Sequence, residues 1–138
     1  MTRDEVLKFV RSNPVCCMAT VENGAPRVRA MMTALVGQEG LTFSTGAQKD
    51  VCRQIQADPR VELCYWRESD DAMLRIRGRL EPMDDVEVKK AIVQRFDFLR
   101  PAVEKMGYEC LAVFRLSGGQ AGMWSQANAF QPTAFSEF

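Results

Sequence analysis

Apolar positions recur along this chain with two different periods, and each change of period marks a new element. Thr2 and Glu5 stand at capping-box spacing, Val6, Leu7 and Val10 follow at helical intervals, and Asn13-Pro14 closes the segment. A short N-terminal helix is predicted. From Val15 to Val21 the residues are mostly β-branched or small and apolar, and Asn23-Gly24 comes next. Both positions of Asn-Gly tolerate positive φ, so the pair predicts a tight hairpin turn. A return strand over Arg27–Val36, a turn at Gly37–Gly40 and a third strand over Leu41–Thr45 complete this opening.

Helical spacing resumes over Gln48–Ala57, where Val51, Cys52 and Ile55 share a face. Asp58-Pro59 ends it, because the residue before a proline is pushed out of the helical region. Val61–Trp66 and Met73–Leu80 read as the fourth and fifth strands. In the latter, Leu74, Ile76 and Gly78 face one way and Arg75, Arg77 and Arg79 the other. A helix from Asp84 carries Val88, Ile92 and Phe96 on one stripe, and Pro101 and Gly107 predict a loop after it. Cys110–Leu116 is the sixth strand, with short extended pieces at Gly122–Gln126 and Thr133–Phe138. The order predicts one domain over residues 1–138: a mainly β chain of α+β class, a six-stranded antiparallel barrel with inserted helices.

Composition then narrows the chemistry. Lys+Arg and Asp+Glu both number 18, so a broad electrostatic grip on nucleic acid or an anionic membrane is disfavoured. The histidine count is 0, which excludes a Ser-His-Asp triad, an HExxH zinc site and histidine-ligated haem. Acid–base work would fall to a perturbed side chain or to a cofactor. The 5 cysteines are odd in number and form no CxxC, so reduced thiols and no metal site are expected. Neither a signal-peptide core nor a membrane span is evident, and a cytoplasmic location is expected.

The block from Pro26 to Lys49 holds the candidate chemistry. Arg27 and Arg29 share one face of a strand, while Ser44-Thr45-Gly46 ends another strand just before a helix with Gln48 and Lys49 near its start. A helix N-terminus, hydroxyls, a Lys and one or two Arg suit a phosphate dianion. Against this, alternation into water is the default for antiparallel strands, and Thr45 could simply cap the helix. The tail from Gly118 carries Trp124, Phe130, Phe135 and Phe138 with Glu137 as its one charge. Such a segment packs on its own barrel or against a second subunit.

Five motifs in order resemble the pyridoxamine 5′-phosphate oxidase-like family of FMN-binding split barrels. They are Ala19-Thr20-Val21-x-x-Gly24-x-Pro26-Arg27-Val28-Arg29, Leu41-x-Phe43-x-Thr45, Gln48-Lys49-Asp50-Val51-x-x-Gln54-Ile55, Asp58-Pro59-x-Val61-Glu62-Leu63 and Leu74-Arg75-Ile76-x-Gly78. The resemblance implies a six-stranded split barrel and a homodimer with FMN in clefts at the subunit interface. It implies that Arg29, with Arg27 less securely, Ser44, Thr45, Gln48 and Lys49 hold the flavin phosphate. The backbone of Ala30, Met31 and Met32 would lie along the isoalloxazine, and Trp124 would approach the flavin. The true oxidase carries a C-terminal Arg/His signature that this chain lacks, so pyridoxamine phosphate oxidation is not expected. The expectation is an FMN-dependent reductase of a small molecule, fed by a reduced nicotinamide and with no assignable catalytic side chain. The alternatives are an FMN carrier, a cofactor-free dimeric module, or use of F420 in place of FMN.

Overall fold

The computed structural model describes every residue from Met1 to Phe138 and shows two antiparallel sheets wrapped around one core. The elements run α1 (Arg3–Ser12), β1 (Val15–Glu22), β2 (Ala25–Met32), β3 (Leu35–Gly37), β4 (Gly40–Gly46), α2 (Asp50–Ala57), β5 (Arg60–Arg67) and β6 (Ala72–Arg79). They continue with β7 (Glu81–Pro82), α3 (Val86–Arg95), α4 (Arg100–Met106), β8 (Leu111–Leu116), β9 (Gly119–Trp124) and β10 (Ser136–Glu137). One sheet has the order β10-β9-β6-β5-β1-β2 and the other β3-β4-β8-β7. All strand pairings are antiparallel, as the sequence pattern predicts.

Local chemistry sets most element ends. Thr2 and Glu5 form the reciprocal capping box at α1, with Thr2 N–H donating to Glu5 Oε2 at 2.7 Å. Asp85 caps α3 through the Glu87 amide at 2.9 Å. Asn23 and Gly24 take φ of 51° and 78° in the β1–β2 hairpin. Gly40 is required by close approach: a Cβ there would stand 2.1 Å from the Leu116 carbonyl oxygen.

Three predicted features change. The strand expected over Arg27–Val36 is two strands, broken at Thr33-Ala34. There the Thr33 amide donates to Pro14 O at 2.8 Å and the Ala34 amide to Thr42 O at 2.8 Å, so the chain leaves one sheet and enters the other. Sheet switching at this point and after β6 gives more, shorter strands than the six expected. The loop expected around Pro101 is the helix α4; proline sits in its first turn, where its missing N–H is not needed. The helix expected from Gln48 starts at Asp50, and Lys49 is its N-cap, without a side-chain cap bond.

The core lies between the sheets, and Met18, Leu41, Phe43, Leu63, Leu74 and Leu116 are fully buried in it. A small satellite of Ala34, Ile92 and Val113 sits beneath α3. Register puts Cys16, Met18 and Thr20 on the inner face of β1 and Val15 and Cys17 on the outer. The tail packs partly on its own barrel: the Phe135 ring lies 3.7 Å from the Arg77 guanidinium carbon, and Phe138 stacks near Arg3. Phe130 remains wholly exposed. No helix is long and apolar enough to cross a membrane.

Candidate functional site

β2 ends its sheet, and its inner face turns toward the start of α2. The register pairs Arg29 with Met18 and Arg27 with Thr20, so both arginines face the same way as the buried row of β1. A cleft of about 650 Å³ opens there, lined by Arg27, Arg29, Ala30, Met31, Thr45, Gln48 and Lys49 among others. A second chamber of about 430 Å³ adjoins it. The two share Ala30, Met31, Thr45 and Lys49, so they are the polar and apolar ends of one groove.

At the polar end, Arg29 is held by neutral acceptors. Its Nη1 donates to Met18 O at 3.1 Å and to Thr20 Oγ1 at 2.8 Å, and its Nη2 to Gln54 Oε1 at 2.5 Å. Thr20 itself donates to Gln54 Oε1 at 2.6 Å, and Gln54 Nε2 donates to Glu22 Oε2 at 2.8 Å. No carboxylate pairs with Arg29 directly, and its Nε–H and one Nη2–H are left over. Partial burial lowers its pKa, the direction expected of a cation short of counter-charge. Arg27 differs. It leans on Pro26 O and, at 3.8 Å, on Glu22, which Arg53 also engages. Lys49 and Gln48 stand exposed at the start of α2 with no ion pair.

At the apolar end, the floor comes from β2 and β4 and the wall from α3, α4 and the turn between them. Ser44 Oγ is buried on this floor with no hydrogen-bond partner. An unsatisfied buried hydroxyl carries a cost that a polar ligand would relieve. Beneath the floor, Thr33 Oγ1 and the Tyr65 hydroxyl hydrogen-bond at 2.7 Å. Burial pushes the Cys16 thiol up to about 12.

The structure thus brings Arg27, Arg29, Ala30, Met31, Met32, Ser44, Thr45, Gln48 and Lys49 to one groove. It does not bring Trp124 there within one chain. β9 is hydrogen-bonded to β6, with Trp124 opposite Met73, and β6, β5 and β1 stand between it and β2. Two contributions escape the sequence reading. Gln54, which orients Arg29, was signalled as a polar residue on the buried face of α2. The apolar wall was signalled by Phe96, Phe98 and Leu99 crowding a segment taken for a helix end and loop.

Comparison with known proteins places the chain in a family. The family model described as pyridoxamine 5′-phosphate oxidase matches residues 2–127. The chain belongs to that family. It is 27% identical over 90 residues to the pyridoxine/pyridoxamine 5′-phosphate oxidase of Anaeromyxobacter dehalogenans, covering 62% of this chain and 46% of that protein. The chain therefore spans under half the length of this relative. Among solved structures, a NimC/NimA family protein from Clostridium acetobutylicum superposes with TM-score 0.78 at 20% identity, covering 98% of this chain and 92% of that one. A protein from Mesorhizobium loti described as FAD-binding superposes with TM-score 0.66 at 18% identity, covering 89% and 94%. These neighbours establish the split-barrel fold.

The groove offers cations for an anionic group at one end and an apolar floor for a flat ring at the other, a set that suits a flavin carrying a phosphate. Arg29 and Lys49 would hold the phosphate, and the Ala30–Met32 strand with Ser44 would lie against the ring.

Proposed function

We propose that this chain is an FMN-binding flavoprotein and an FMN-dependent reductase of a small-molecule substrate, drawing electrons from a reduced nicotinamide. The observation that carries this reading is Arg29. It is a part-buried guanidinium held in place by three neutral acceptors, with donors left over, beside Lys49 and at the mouth of an apolar chamber. An anion there gains charge-assisted bonds from groups already fixed in position. Bound FMN would supply the hydride or electron transfer that no side chain here offers. Lys49 and Cys110 are the chamber's titratable groups, so protons would come from solvent or substrate.

The test is a paired titration with FMN and riboflavin, followed by flavin fluorescence. A charge-assisted hydrogen bond is worth roughly 1.5–3 kcal/mol, so Arg29→Ala should weaken FMN binding about ten- to a hundredfold. Lys49→Ala should weaken it less and Arg27→Ala least, and riboflavin should be nearly indifferent to all three. Unchanged FMN affinity in Arg29→Ala and Lys49→Ala would remove the phosphate assignment.

The same reading includes a homodimer. Val15, Val28, Met32 and Trp66 expose 52%, 70%, 47% and 54% of their surface on or beside the outer face of β1, β2 and β5. A second copy related by a two-fold axis would cover this face on both chains. Light scattering at micromolar concentration should give twice the chain mass; a monomer mass would rule the dimer out.

A further inference from the structure

We infer that Thr20 is a positioning residue for the anion site. Together with Gln54 it occupies one edge of the Arg29 guanidinium and leaves the Nε–Nη2 edge to grip two oxygens of a phosphate. This rests on the flavin reading above and adds how the phosphate is recognised. Thr20 is 2% exposed on the inner face of β1, in the row that also holds Cys16 and Met18. It lies behind the cleft and not in its lining, so it would touch no ligand. Its hydroxyl is committed in both directions, donating to Gln54 Oε1 at 2.6 Å and accepting from Arg29 Nη1 at 2.8 Å.

The direction of every bond in this set follows from what each group can do. A guanidinium only donates, and an ionised carboxylate only accepts. Gln54 stands between one of each, with Nε2 toward Glu22 at 2.8 Å and Oε1 toward Arg29 Nη2 at 2.5 Å, so its amide has one orientation. The bond from Gln54 is also the main cause that lowers the Glu22 pKa and keeps that carboxylate charged. With Oε1 fixed as an acceptor, the Thr20 proton goes to it, and only lone pairs remain for Arg29. The two acceptors, Thr20 Oγ1 and Gln54 Oε1, are 2.6 Å apart. That spacing fits the fork between Nη1 and Nη2, and Met18 O takes the other Nη1 proton at 3.1 Å. Both protons of Nη1 are therefore spent on the protein. What remains is Nε–H and the outer Nη2–H, two parallel donors on the adjoining edge that match two oxygens of one phosphate. Without the Thr20 hydroxyl, one Nη1 proton would lose its partner and the fork would be free to turn, so its aim would have to be fixed when the anion binds.

The test titrates wild type and variants with FMN and with riboflavin, followed by flavin fluorescence. Thr20→Val keeps the shape of the side chain and removes the hydroxyl. Its FMN affinity should fall roughly two- to tenfold, the worth of one neutral hydrogen bond, while riboflavin affinity stays within about twofold. Thr20→Ala removes the same hydroxyl and should behave alike if the valine variant does not fold. Thr20→Ser restores the hydroxyl and should return FMN affinity to within about twofold of wild type. In an Arg29→Ala background, Thr20→Val should cost less than about twofold, because its effect passes through the guanidinium. Arg29→Lys keeps the charge without the fork and should lose most of what Arg29→Ala loses. An FMN-over-riboflavin preference unmoved by loss of the Thr20 hydroxyl, or moved equally in the Arg29→Ala background, would overturn the inference and leave the flavin reading standing. So would full FMN affinity in Arg29→Lys. Wild-type protein with no preference for FMN over riboflavin would overturn both.

Discussion

The two ends of the groove share a floor and differ in how each treats its polar atoms. At the Arg29 end, every fixed partner is neutral and the charge is left to be answered from outside. At the Phe98 end, charge is absent from the wall and one hydroxyl, Ser44 Oγ, is left unanswered. Affinity at the first is electrostatic and will fall with salt; affinity at the second follows apolar area and will not. A single ligand with an anionic head and a flat apolar body satisfies both, which neither end specifies alone.

The largest expected effect concerns the buried layer behind β2. Cys16 is 2% exposed, opposite Met31 on one side and Tyr65 on the other. Burial raises its thiol from 9.0 to about 12. A raised folded-state value means that this contribution is fully present below about pH 9, where neither state ionises. It is lost as pH climbs from 9 to 12, because the unfolded chain ionises first. At about 1.4 kcal/mol per pH unit, roughly 4 kcal/mol of stability should go over that span. Thermal melts against pH should show the decline, and Cys16→Ala should start less stable but fall more gently. An equally steep fall in the variant would assign the alkaline loss to other groups.

The next effect targets the polar end alone. Gln54→Glu would place a carboxylate where Arg29 now meets an amide oxygen. FMN affinity should drop about tenfold, by competition for one charged hydrogen bond. The melting temperature should change little, because the new pairing with Arg29 is offset by the loss of the amide that donates to Glu22 at 2.8 Å and by repulsion between the two carboxylates. Retained affinity would mean that Arg29 is not the phosphate's partner. The smallest effect sharpens the apolar end. Ser44→Ala removes an unpartnered hydroxyl, so stability should change by less than about 0.5 kcal/mol or improve. Flavin affinity should fall severalfold if the hydroxyl meets the ring. A clear loss of stability in chemical denaturation would show that Ser44 is satisfied within the free protein.

Much of this was legible in the chain because it is written locally. Thr2 and Glu5 announced α1, Asn23-Gly24 announced the first hairpin, and the alternation around Arg27 and Arg29 put both on one face. What stayed hidden depends on contacts distant in sequence. The break at Thr33-Ala34 is decided by Pro14 and Thr42 carbonyls, and nothing near residue 33 signals it. Trp124 lay in a tail whose strand partner no local pattern identifies, and β9 took it to the far side of the sheet. Proline 101 read as a breaker because its position within a turn, not its identity, decides its effect.

The six-stranded sheet stops at β2, and no strand covers that strand's outer edge. A bare edge is a template on which other chains can add, and solubility depends on spoiling it. Pro26 carries no amide hydrogen, and Arg27, half exposed, sets a positive charge along the strand. A second β2 laid antiparallel against the first would bring two such charges close together. A residue of the anion cleft therefore also keeps this edge from growing into a fibre. A sequence drifting toward neutral residues here would meet two penalties, one in ligand grip and one in aggregation.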